Sequence, residues 1–109
     1  MAETFVNKTV ALGNTVDVSV YSPAAATTAI VIHCQVANIT GSTAADVNID
    51  LYDTSATTAA AVVSTLSVPA NTAVNPIGGK LVLEATDELR AWASATSSLE
   101  LTLGILEIS

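Results

Sequence analysis

Aromatic side chains are nearly missing from this 109-residue chain: one Trp, two Tyr and one Phe. Half the residues are apolar, and many of those are Ala, so the core has to be thin and built from Val, Ile, Leu and Ala. A thin core leaves little margin over the cost of ordering the chain, and burial between subunits is the expected supplement. Cations are as scarce. Lys8, Lys80 and Arg90 stand against ten acidic residues, for a net charge of -7. Neutralising a phosphate backbone takes clustered Lys and Arg, so nucleic-acid binding is excluded, and an anionic membrane surface is disfavoured on the same ground. Cys34 is the one cysteine, which rules out an intrachain disulfide and fits folding in a reducing cytoplasm. No apolar stretch approaches the ~20 residues of a membrane helix. The opening MAETFVNK lacks the cationic segment and apolar run of a signal peptide.

What the chain does have is alternation. Val16, Val18 and Val20 alternate with polar residues across Thr15 to Tyr21 until Pro23 stops the run. Thr28 to Asn38 reads as the longest strand, with Ile30, Ile32, Cys34 and Val36 on its core face. Val47, Ile49 and Leu51 give Ala45 to Asp53 an inward face. Ala60 to Val68 and Thr72 to Asn75 follow as strands, and Thr40 to Thr43 reads as a hairpin-like connection. The last third is the organising stretch: three strands in antiparallel succession around Leu81–Leu83, Leu89–Ala93 and Leu99–Ile108. Within the last of these the apolar phase slips after Gly104. A bulge at that glycine would keep Leu106 and Ile108 toward the core; burial on both faces, or a neighbouring subunit, are the other readings. About eight strands at intervals of roughly 8–12 residues predict one all-β domain over residues 1–109. The expected form is an antiparallel β-sandwich, jelly-roll-like, with an immunoglobulin-like sandwich as its rival and residues 1–12 as an edge strand or partner-binding arm.

Site chemistry is thin. Asp46, Asn48 and Asp50 have the spacing of a calcium loop, but Leu51 and Thr57 stand where Gly and Glu are needed, and a solvated strand face is the better reading. His33 and Cys34 are adjacent on a strand, so they point to opposite faces and cannot act as base and nucleophile. Glu84, Asp87 and Glu88 surround a turn that should leave them solvated. Gly78-Gly79-Lys80 lacks the rest of a phosphate loop. Catalytic, metal and cofactor residues are therefore none, and the chain is not expected to be an enzyme. Phe5, His33, Arg90 and Trp92 are the candidate subunit contacts, since Trp and Arg are enriched at interfaces.

Three segments, GSTAADVNIDLYD, TLSVPANTAVNPIGGKLVLEATDELRAWAS and LELTLGILEIS, together resemble small β-sandwich structural proteins of tailed bacteriophage virions. Val68-Pro69-Ala70, Gly78 to Ala85 and Leu106-Glu107-Ile108 carry the likeness, which covers roughly Thr28 to the C-terminus. The resemblance implies a virion component assembled in the host cytoplasm. The first expectation is a capsid decoration or cement protein, homo-oligomeric and trimeric by preference, with the major capsid protein or other virion proteins as partners. A tail, collar or fibre protein is the alternative. A carbohydrate-binding adhesion module using Trp92 with Tyr52 or Tyr21 is the alternative from another class.

Overall fold

In a computed structural model, which describes residues 2–109, the alternating segments become nine strands. They are β1 (Glu3–Ala11), β2 (Ser19–Tyr21), β3 (Thr28–Asn38), β4 (Ala45–Asp53), β5 (Thr58–Val68), β6 (Ala73–Val74), β7 (Leu81–Leu83), β8 (Glu88–Ala93) and β9 (Leu99–Ile108). Two antiparallel sheets result. The front sheet runs β1-β9-β3, with β6 and β7 both beyond β3 at opposite ends of it; the back sheet runs β2-β8-β4-β5. The pairs β1·β9, β2·β8, β3·β6/β7 and β4·β5 nest like one long hairpin rolled up, so the sandwich is a jelly roll and the immunoglobulin-like order is set aside.

This order corrects two local readings. The last third is no meander: β7 and β9 lie in the front sheet and β8 in the back, and none of the three pairs with another. Thr40 to Thr43 is no hairpin either, because β3 and β4 belong to opposite sheets. The crossing is held by Asn38, which closes β3 and is only 5% exposed. Its Nδ2 donates to the carbonyls of Thr43 and Val68, both at 2.9 Å, and its Oδ1 accepts from Thr40 N and Thr40 Oγ1, both at 2.8 Å.

The core is aliphatic, as composition demands. Its largest fully buried side chains are Leu, Ile and Val, with Ala29, Ala45, Ala91 and Ala93 filling close approaches. Tyr21 bridges the sheets at one end, donating to Glu107 Oε2 at 2.5 Å; partial burial first, then that bond and the Glu107 charge, hold its phenol well above the usual range. The valines at 16 and 18 stay exposed, because Asp17 takes a left-handed φ of 64° and ends any extended run before β2 begins.

The phase slip has a different origin from the one expected. β9 carries no bulge: Leu99, Leu101, Leu103 and Ile105 all face the core, and Leu106 and Ile108 fall on the outer face. The extra residue lies in the neighbouring strand. Val31 pairs with Ile105 and His33 with Gly104, which leaves Ile32 unpaired. The bulge changes the core face of β3 from Ala29 and Val31 to Cys34 and Val36, so Ile30 and Ile32 are not core residues. Gly104 makes room for it, since a Cβ there would sit 3.3 Å from His33 Cβ.

The two long edges are unlike. β5 is interrupted twice against β4, between Val63 and Leu66 and again between Ala61 and Val63. Thr65 within the first interruption has a φ of 52°, and its N–H turns to Asn48 Oδ1 at 2.9 Å. Bulges of this kind blunt a sheet edge. β1 has none. It is paired with β9 in one register from Glu3↔Ile108 to Ala11↔Glu100, as an edge strand and not a free arm. Ala2 and Ser109 exchange both backbone bonds at 2.8 and 2.9 Å, and Leu12 N donates to Leu99 O. Even-numbered residues of β1 therefore bond to β9, and the N–H and C=O groups of Glu3, Phe5, Asn7, Thr9 and Ala11 point away from the sheet.

Candidate interaction surface

The residues with chemical potential are brought into structural work, and three carboxylates meet that the sequence did not associate. Cys34 is 3% exposed in the core, where burial pushes its thiol up to about 11, while His33 faces out at the bulge. Asp46, Asn48 and Asp50 share the outer face of β4 and diverge along it. Desolvation raises the Asp50 carboxyl, Asp17 adds to that, and Arg90 opposes it. At the turn before β8, Glu88 leaves the expected acidic group to pair with Arg90. Asp53 arrives in its place, with ligand atoms of Asp53, Glu84 and Asp87 all within 4.8 Å of one another. Asp87 is not solvated as expected but 5% exposed. Its Oδ2 accepts from Glu84 N at 3.0 Å and its Oδ1 from Thr54 N at 3.2 Å, tying the β7–β8 crossing to the end of β4. Asp53 Oδ1 is taken up by Ser55 Oγ, Ser55 N and Ala56 N at 2.7, 3.0 and 3.3 Å, and these bonds, the hydroxyl first, hold its carboxyl below the usual range. Two of the three acids are thus clamps for turns.

The four candidate contact residues divide between the two outer faces. Arg90 and Trp92 lie half-buried on the back sheet. Arg90 Nε donates to Glu88 Oε1 at 2.9 Å, and its guanidinium carbon stands 4.0 Å over the Tyr52 ring. Trp92 pairs with Asn48 two rows away. Tyr21 points into the sandwich, and Arg90 takes one face of the Tyr52 ring. Asp17, Asp46, Asp50 and Glu88 make this side anionic.

Phe5 and His33 lie on the front sheet, whose outer face is different in character. Strand register places Val82, Ile30, Leu106 and Phe5 in one row across β7, β3, β9 and β1. Phe5 is 74% exposed, Val82 53% and the bulged Ile32 beside them 41%. Farther along, β1 and β9 enclose a shallow open depression lined by Thr9, Val10, Ala11, Glu100, Leu101 and Thr102. The row was not legible beforehand, because it takes one residue from each of four strands whose order the sequence does not reveal.

Neither a family model nor a curated protein matches the chain. Among solved structures, a chain described under "Bacillus endospore appendages form a novel family of disulfide-linked pili" is similar in fold, with a TM-score of 0.58 and 14% identity. The alignment covers 99% of this chain and 87% of that one, and at this identity the likeness is one of fold alone.

Proposed function

We propose that the chain is a structural protein of a tailed-bacteriophage particle, a decoration or cement protein that holds its place through contacts with copies of itself and with neighbouring shell proteins. The observation that carries this reading is the apolar row on the front sheet, with Phe5 74% exposed at its end. A contiguous exposed apolar strip on a chain with so few large side chains marks a surface meant to be covered. The strand and turn motifs that resemble virion proteins supply the setting. The disulfide linkage named for the pilus protein has no counterpart here, since Cys34 is the one cysteine and is buried. Cryo-electron microscopy of the parent particle, with mass spectrometry of separated heads and tails, tests the reading. Density for the jelly roll on the head surface is expected. Its presence in tails alone would move the protein to the tail, collar or fibre, and its absence from purified particles would end the proposal.

A further inference from the structure

The geometry points to a two-fold pair of these chains joined through β1, in which the first strands of two copies run antiparallel about Asn7 and form one continuous front sheet. The inference deepens the assembly reading and rests on it for the premise that copies of the chain meet.

Three observations converge on this arrangement. First, the outward N–H and C=O groups of Glu3, Phe5, Asn7, Thr9 and Ala11 form an unbroken ladder half. Such an edge is a template for strand addition unless something blunts it. No proline or bulge does so here; Lys8, whose side chain shares the inner face with Val6 and Val10, is the one lysine on the edge, and in the pair it stands opposite Val6 of the second copy.

Second, the other edges do not match it. β2, β6 and β7 have two or three residues each, and β5 is bulged twice. Among the described residues, β1 is thus the one long straight edge, and its partner in a population of identical chains is β1 itself. That contact is isologous and closes at two copies, whereas the sequence led to the expectation of a trimer. A three-fold ring joined through β1 would need it to meet a different edge of equal length.

Third, the register is specified by shape. Centring the pair on Asn7 opposes Phe5 to Thr9 of the second copy, Glu3 to Ala11, and Lys8 to Val6. No like charges face each other, and all nine residues of β1 are used. Phe5 projects on the outer face, and so do Thr9, Ala11, Glu100 and Thr102 around the depression. The ring of each copy then enters the depression of the other, twice over by symmetry. One arrangement thereby accounts for the most exposed large apolar side chain and for the hollow a few residues away.

Light scattering and sedimentation of the full chain from 1 to 100 µM, joined to amide exchange, test the pairing. The expected mass is twice the 11.0 kDa chain. Amides of Phe5, Asn7 and Thr9 should gain protection as concentration rises, while those of Thr4, Val6 and Lys8 stay protected throughout. Asn7→Pro removes an outward N–H without touching a β9 bond, which an edge strand tolerates. It should weaken pairing by roughly 100-fold or more while the sandwich stays folded. Val82→Ser, on the opposite edge, should leave it unchanged. Should Asn7→Pro misfold, cysteine scanning still decides. Two Asn7→Cys chains place their Cα atoms about 5.5 Å apart, within disulfide reach. Two Ala11→Cys chains place theirs roughly 26 Å apart. Rapid cross-linking of Asn7→Cys alone is the expected result. A monomer at every concentration, a dimer indifferent to Asn7→Pro, or equal cross-linking at both positions overturns the inference. None of these results touches the particle location, which is read from virions, and absence from virions would leave a measured β1 pair standing.

Discussion

Replacing Asn38 by Leu keeps nearly the same volume and removes four hydrogen bonds at the crossing from β3 to β4. The four are not equal. Val68 O loses a buried donor, which costs about 1–3 kcal/mol. Thr43 O keeps a second donor, Thr40 Oγ1 at 2.6 Å, so its loss is nearer 0.5 kcal/mol. Thr40 N is only partly buried and can turn to water, and the single Thr40 hydroxyl proton, shared between Asn38 Oδ1 and Thr43 O, passes wholly to Thr43 O, at about 0.5 kcal/mol each. The sum is about 3 kcal/mol, a large share of the roughly 5–15 kcal/mol that holds a domain folded. At about 4 °C per kcal/mol the melting temperature should fall by about 12 °C. Urea unfolding at pH 7 measures the free energy directly. Asn38→Asp sharpens the test. Its Oδ1 still accepts from Thr40, but the second oxygen of the carboxylate faces two carbonyls where an NH₂ had donated. The variant carboxyl is therefore easier to protonate when folded than when unfolded. Its penalty should be full at neutral pH and shrink relative to wild type as pH falls through the carboxylate range. Asn38→Leu should show no such relief. A loss under about 1 kcal/mol for Asn38→Leu, or an Asn38→Asp deficit that is the same at pH 7 and pH 4, would refute the assignment of the crossing to this amide.

The remaining expectations are smaller. Cys34 is protonated in the folded chain until pH approaches about 11, so thiol reagents at pH 8 should label it only at the rate of global unfolding; fast native labelling would contradict its burial. Its raised value also means that its contribution to stability is complete below the unfolded thiol's pKa and is lost as pH rises through about 11. Asp50→Asn should stabilise the protein at pH 7, where the carboxylate is charged beside Asp17, and the gain should vanish in acid as Asp50 itself becomes protonated; thermal melts across pH 3–7 read this out. Ala26 holds a φ of 63° in an exposed turn, so Ala26→Gly should raise stability by about 0.5–1 kcal/mol, the relieved strain exceeding the added chain entropy. A fall in stability on that change would sink the argument.

How far the sequence could be read follows from how local each signal is. Alternation in β4 and β8 gave their faces correctly, because an unbulged strand has a period of two and nothing distant alters it. β3 defeated the same rule, since one unpaired residue at Ile32 shifts every side chain beyond it. The clue lay in Gly104, but a glycine that makes space is as easily the partner of a bulge as its seat. Val16 and Val18 looked like strand residues because alternation is blind to the single left-handed residue between them. The meeting of Asp53 with Asp87, and the clamp at Asn38, are products of strand order, which pairs segments dozens of residues apart. The placement of Phe5, His33, Arg90 and Trp92 outside the core was legible residue by residue. Their division between opposite sides of the sandwich was not.

β9 is the last strand in the chain and yet lies between β1 and β3, bonded to both. On a ribosome the front layer therefore has no middle until β9 is made: nascent β1 has nothing in that sheet to zip onto, and β3 has only the short β6 and β7. Folding of the front layer must wait until Leu99–Ile108 has left the exit tunnel, and its reliance on pairings between distant segments makes it slow for a domain of this size. A stop codon placed before Leu99 would therefore leave two stranded halves of a layer, and not a slightly shorter version of the same protein.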